Sequence, residues 1–293
     1  MKMIYSTTKL KIAVISVSII IIVMFLLAYY MFLSKSQLSS HGNDSLIKLP
    51  SLTDVDNSSW KKLEQKKIYF GHQSIGYNIV SGIKLLMKDN TNIKLNIVES
   101  KSRKDYLKPV FGHSPVGKNE FPDSKNVDFS NTITNLIGDQ LDIAFYKYCY
   151  IDINENTNVE KLFSAYKKNI ESLKRKFPNI TFVHVTDPLS TVSKSPMVLV
   201  RNILGRNTWG YRENKQRNLY NNLLRKEYEG KEPIFDLAKL ESTTPNGKRY
   251  TYSYKNKIYF ALDPVYASDH AHLNEIGQRY IAGQLLIFLA NLK

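Results

Sequence analysis

The sequence predicts an α/β domain in which a mostly parallel sheet carries helices on both faces. Three observations point to it. From Trp60 onward, short apolar runs alternate with segments whose apolar residues recur at helical spacing. Strands separated by helices in this way pair in parallel and bury both faces. The polar residues of most chemical interest follow a strand or precede a helix, near the edge where such sheets bind ligands.

The elements follow in order. Residues 67–70 read as a short apolar strand. Ile75, Ile79, Ile83, Leu86 and Met87 then mark a helix ending near Asp89 and Asn90. Residues 93–98 alternate as a strand. Residues 100–128 contain Gly112, Pro115, Gly117 and Pro122 and read as a long loop, a length that usually accompanies function. Residues 141–148 form another apolar strand. Val159, Leu162, Phe163, Tyr166, Ile170 and Leu173 mark an amphipathic helix that must stop before Pro178. A strand over 180–186 ends at Asp187-Pro188. A helix carrying Leu219, Leu223 and Leu224, a short strand at 234–237 and a terminal helix over 273–292 complete the chain.

Length allows one α/β domain plus an extension, because the chain has 293 residues. The single cysteine, Cys149, excludes an intrachain disulfide and any multi-cysteine metal site. The formal charge of +15 is spread over many lysines. Compositional bias explains it, and attraction to anionic lipid or an acidic cell-surface polymer is the functional alternative. Nothing in the sequence resembles a nucleic-acid-binding module.

Residues 12–33 contain no charged side chain and would span ~33 Å as a helix, enough for a hydrocarbon core. Lys2, Lys9 and Lys11 precede them, which orients residues 1–11 to the cytoplasm and the rest of the chain outside. The segment is longer than a cleaved signal and ends in bulky residues, so an uncleaved single-pass anchor is expected. Residues 34–58 are polar and read as a tether, and residues 59–293 as the domain.

Chemistry concentrates in two stretches. Near the end stands Ser268-Asp269-His270-Ala271-His272-Leu273-Asn274, in which an Asp three residues before a His sets a carboxylate against an imidazole. That contact selects the tautomer and stabilises the charged ring, as a general base requires. Ser74, after the first strand in Gly71-His72-Gln73-Ser74-Ile75-Gly76, is the matching nucleophile. The bland alternatives are a helix N-cap for Ser74 and a loop pair for Asp269 and His272. His270 is the rival base.

In these residues the chain resembles the SGNH, or GDSL-like, hydrolase family over residues 66–292. The serine after strand one, followed by an aliphatic residue, and the Asp-x-x-His near the C-terminus carry the resemblance. Gln73 stands where the family has Asp. The resemblance implies a flavodoxin-like three-layer α/β/α fold and acyl transfer through Ser74, His272 and Asp269. It also implies oxyanion donors from the Ser74 N–H, from a glycine after the second strand and from an Asn after the third. Gly112 or Gly117 would supply the glycine. Cys149-Tyr150-Ile151-Asp152 replaces the Asn-bearing block, so Asn119 is the substitute candidate.

The remaining residues read more plainly. His72 and His113 suit satisfied polar positions at strand ends. With His184 and His272 they show no tight ligand spacing, so no metal and no cofactor is expected. Cys149 reads as a core residue and Lys147 as either a snorkelling side chain or an anion contact. Residues 196–217 mix Arg201, Arg206, Arg212 and Arg217 with Trp209, a solvated insertion or a sugar-binding segment. The expectation is an extracytoplasmic esterase or O-acyltransferase acting on acylated carbohydrate. The alternative is a catalytically silent envelope protein that binds polysaccharide or a partner through the same cleft.

Overall fold

Six strands form one parallel sheet in the order β2-β3-β1-β4-β5-β6. They are β1 (Lys67–His72), β2 (Ile97–Glu99), β3 (Val110–Pro115), β4 (Ile143–Tyr146), β5 (Thr181–Val185) and β6 (Ile234–Phe235). The structure, a computed structural model, describes residues 49–204, 206 and 208–292, together with Ser18, Ile21, Met24 and Ala28. The proposed anchor at 12–33, apart from those four helical positions, and the tether up to residue 48 lie outside the described residues. Among the described residues no helix is long and apolar enough to cross a membrane.

The helices are α1 (Asn57–Glu64), α2 (Ile75–Asp89), α3 (Pro122–Thr132), α4 (Val159–Lys176), α5 (Pro196–Ile203), α6 (Tyr211–Tyr228), α7 (Leu237–Glu241) and α8 (Glu275–Ala290). Side chains alternate across each strand, so each strand feeds two cores. Ile68, Phe70, Ile143 and Phe145 join Ile79 and Ile83 of α2 and Ile281 and Leu285 of α8. Tyr69, Ala144 and Tyr146 join Phe129 of α3, Tyr166 of α4 and Tyr220 of α6 on the opposite face. Helices therefore cover both faces, the three-layer arrangement the alternation predicts. Trp60, Leu63 and Val55 belong to the first core and Leu49 and Leu52 pack against it, so residues 49–58, read as the end of the tether, form part of the body.

The stretch over 100–128 corrects the reading of a long loop. It contains β3, an interior strand, and most of α3. Gly112 and Pro115 look like loop punctuation, yet each has a structural reason. A Cβ at Gly112 would lie 2.0 Å from the Tyr106 hydroxyl oxygen, so glycine makes room for a buried tyrosine. Pro115 is the last residue of β3, where a missing N–H costs least. A further element lies near the C-terminus, where the sequence reading names none. Residues 251–260 form an antiparallel hairpin, β7 (Thr251–Tyr254) and β8 (Lys257–Phe260). Its two turn residues, Lys255 and Asn256, both have positive φ, the geometry of a two-residue hairpin turn. Neither residue pair nor spacing in the sequence is a strong hairpin signal.

Strand order places the site. From β1 the chain moves outward to β2 and β3 on one side, and it returns to β4 on the other. A crevice opens at such a reversal, at the carboxyl ends of β1 and β4. Ser74 follows β1 there, and Lys147 to Tyr150 follow β4.

Candidate active site

Ser74 sits on the turn between β1 and α2 with φ 35° and ψ −95°. Few non-glycine residues hold such a conformation, which costs about 1–3 kcal/mol and persists where neighbours enforce it. The neighbours are identifiable. Gln73 donates its amide to the carbonyls of Val116 (3.2 Å) and Gly117 (2.9 Å), tying the turn to the end of β3. The His72 ring lies beneath the first turn of α2, where a Cβ on Gly76 would meet it at 2.1 Å. The Ser74 side chain makes no capping bond to α2, which leaves its hydroxyl for another partner.

That partner is His272. Ser74 Oγ and His272 Nε2 are in hydrogen-bond contact, and His272 Nδ1 lies 2.7 Å from Asp269 Oδ2. Asp269 also accepts from the N–H groups of Ala271 and His272, both at 2.8 Å. Burial alone would favour its neutral form. The two N–H bonds and the His272 ring outweigh that and hold the carboxyl down to about 2. A carboxylate on Nδ1 puts the ring proton there, so Nε2 presents its lone pair to the Ser74 hydroxyl. Asn78, one turn into α2, accepts from the Leu273 N–H at 3.2 Å and fastens the histidine loop to the nucleophile's helix. Tyr150 presents its ring edge-on to His272 at 5.9 Å.

The structure thus brings Ser74, His272 and Asp269 together. It does not bring Gly112 to them. Gly112 lies in mid-strand, paired with Tyr69 and Val98. Gly117 is at the right edge, with φ +55°, but its N–H donates to Asp128 Oδ2 at 2.8 Å. Asn119 is exposed, and its Oδ1 accepts from Lys125 Nζ at 3.0 Å. The Ser74 N–H makes no hydrogen bond among the described residues and stands at the N-terminus of α2, where the helix dipole favours negative charge.

His72 and His113 are buried and linked, Nε2 to Nδ1, at 3.0 Å. Burial pushes His72 down to about 2, with the Lys147 charge acting in the same direction, and burial also lowers His113. Both are neutral packing groups under the turn. Gly76→Ala therefore forces the His72 ring or the turn to move. A loss of about 1–3 kcal/mol is expected, checked as a lowered Tm by calorimetry.

Beneath the crevice lies a buried charged layer. Lys125 and Asp152 form an ion pair with both side chains fully buried. Arg217 donates to the Tyr150 carbonyl at 2.8 Å and to Ser190 Oγ at 2.8 Å, joining the loops after β4 and β5. Glu241 accepts from the Leu189 N–H at 2.7 Å. Burial raises its carboxyl to about 8, against the opposing pull of that N–H and of Lys147. The raised acid holds a proton in the folded state that the unfolded chain releases near its ordinary value of 4.5. Stability therefore falls as pH rises from about 4.5 to about 8. Glu241→Gln removes this contribution, so its Tm is expected to decline less than the natural protein's between pH 5 and pH 8.

Among the described residues no group of three His, Cys, Asp or Glu side chains could hold a metal ion. Gln73, Asn78 and Tyr150 join the site without a role expected from sequence, and Arg217, expected in a solvated or sugar-binding segment, is instead buried beneath it. Gln73 and Asn78 flank Ser74 in sequence, a signal within reach. Tyr150 and Arg217 join the site only through packing.

No protein-family model matches the chain, and no curated protein does. Solved structures do. A member of the lipolytic G-D-S-L family from Veillonella parvula is 16% identical with a TM-score of 0.45, covering 77% of this chain and 98% of its own. A family 3 carbohydrate esterase from Clostridium thermocellum is 15% identical, TM-score 0.37, covering 77% and 99%. The periplasmic domain of a lipopolysaccharide acetyltransferase from Salmonella ser. Paratyphi A is 11% identical, TM-score 0.40, covering 76% and 83%. The structural neighbours include GDSL-type proteins.

Proposed function

We propose that the protein is an SGNH-type serine esterase or O-acyltransferase. The observation that carries this is the continuous Ser74–His272–Asp269 hydrogen-bonded chain, with Ser74 held at positive φ. Ser74 Oγ attacks an ester carbonyl while His272 Nε2 takes its proton. The carbonyl π electrons move to oxygen, and the oxyanion faces the Ser74 N–H at the start of α2. Collapse expels the alkoxide, which receives the proton from His272. Water or an acceptor hydroxyl then attacks the acyl-enzyme by the same steps in reverse. Asp269 keeps the imidazolium oriented and compensated throughout. No cofactor enters these steps.

The proposed substrates are O-acyl esters, acetyl foremost, on cell-envelope or exported polysaccharide. The charge-free segment at 12–33 supports a membrane-anchored, extracytoplasmic placement. The second reading, a silent binding protein, draws support from the Gly117 N–H being committed to Asp128. The test is hydrolysis of an acetyl ester by the full chain, with covalent labelling of Ser74 by a serine-directed phosphonate. Labelling and turnover support the esterase. Labelling without turnover supports a transferase lacking its acceptor. Absence of both labelling and turnover supports the silent protein.

A further inference from the structure

Two cavities flank the Asp269 side of the site, of about 470 Å³ and 360 Å³. Trp209, Asp269 and His270 line both, so one wall divides them. In that wall the Trp209 and His270 rings lie 4.5 Å apart, and Trp209 remains 45% exposed. An exposed indole braced by a second ring offers a flat apolar face, against which the C–H face of a pyranose packs. The larger cavity adds the hydroxyls of Thr191, Ser193 and Thr208. Polar groups around an aromatic floor suit a ligand that is amphipathic at the scale of one sugar ring.

Arg201 and Asp269 are the charged residues of the larger cavity, and Glu213, Arg217 and Asp269 those of the smaller. Asp269 is committed to His272 and two N–H groups, whereas Arg201, exposed in the wall of the same cavity, makes no ion pair among the described residues. A guanidinium there is available for the fork-like recognition of a carboxylate or phosphate. The smaller cavity reaches Tyr150, whose ring meets His272. A chain lying across the wall therefore passes beside the proposed catalytic base. His270 is held in place by its carbonyl, which accepts from the Thr191 N–H at 2.8 Å.

We infer that the Trp209–His270 wall and its two cavities bind an anionic glycan, with Trp209 as the stacking platform and Arg201 as the anion contact. This deepens the proposed function and rests on it for the role of the neighbouring triad. The same segment exposes Met197, Val200 and Leu204, which makes a lipid surface the rival occupant.

The chain has two tryptophans, and Trp60 is buried in the core, so ligand-induced change in tryptophan emission reports on Trp209. The full chain in non-ionic detergent is titrated with trigalacturonate, glucose 6-phosphate and neutral maltotriose. We expect at least one charged sugar to quench with a Kd about tenfold below that of maltotriose, the scale of one charge-assisted contact. Which one does so separates carboxylate from phosphate. Arg201→Gln brings the charged and neutral ligands to equal affinity, and Trp209→Phe removes the signal. Equal affinities, absence of quenching, or indifference to Arg201→Gln overturns the inference. So does a response only when the micelle is doped with phosphatidylglycerol, which assigns the face to lipid. Ser74→Ala is expected to keep the binding, and quenching intact in a natural protein that the phosphonate fails to label would overturn the esterase alone.

Discussion

Ser74→Ala is expected to lower kcat/KM for acetyl-ester hydrolysis by about 10⁴–10⁶-fold, the scale seen when a serine nucleophile or its tautomer control is removed. The loss arises because among the described residues no other hydroxyl contacts His272 Nε2. A second substitution separates chemistry from folding. Glycine tolerates positive φ and alanine does not, so Ser74→Gly is expected to melt above Ser74→Ala although both are inactive. Equal activity of the natural protein and Ser74→Ala would remove Ser74 from the mechanism. A higher Tm for alanine than for glycine would remove the strain argument.

Lys125→Met is expected to destabilise the fold by about 3–5 kcal/mol, because it leaves the Asp152 carboxylate buried without its cation. Asp152 is more than half of a pair. Its oxygens accept from the N–H groups of Cys149 at 2.6 Å and Glu120 at 2.8 Å, joining the loop after β4 to the loop after β3. Those two loops carry Tyr150 and Asn119. The variant should therefore lose activity at temperatures where it is still folded, through loosening of both loops. Chemical denaturation gives the stability change, and kcat measured well below the Tm gives the second effect. A change under about 1 kcal/mol would show that the carboxylate finds compensation elsewhere.

Much of this site was legible because its key relations are local. Asp269 and His272 are three residues apart, and the loop's own N–H groups at Ala271 and His272 close on the carboxylate, so spacing alone sets the contact. The helices over 75–89 and 159–176 announce themselves through apolar periodicity and end at Asn90 and before Pro178. The interior strand β3 did not announce itself. Its glycine answers to Tyr106 and its proline to a strand end, and both imitate loop signals. The oxyanion candidates show the same limit. Gly117 occupies the expected edge, yet a carboxylate eleven residues on takes its N–H.

The sequence by itself determined the alternation of strands and helices, the uncharged N-terminal segment, and the Asp269–His272 relation. Each depends on period or on separations of a few residues, which backbone geometry translates directly into space. Only the tertiary structure decided that Ser74 Oγ meets a histidine 198 positions away, that Arg217 ties Tyr150 to Ser190, and that Trp209 backs onto His270. Those contacts follow from burying two apolar faces of one sheet, which brings the loops at its carboxyl edge together whatever their distance along the chain.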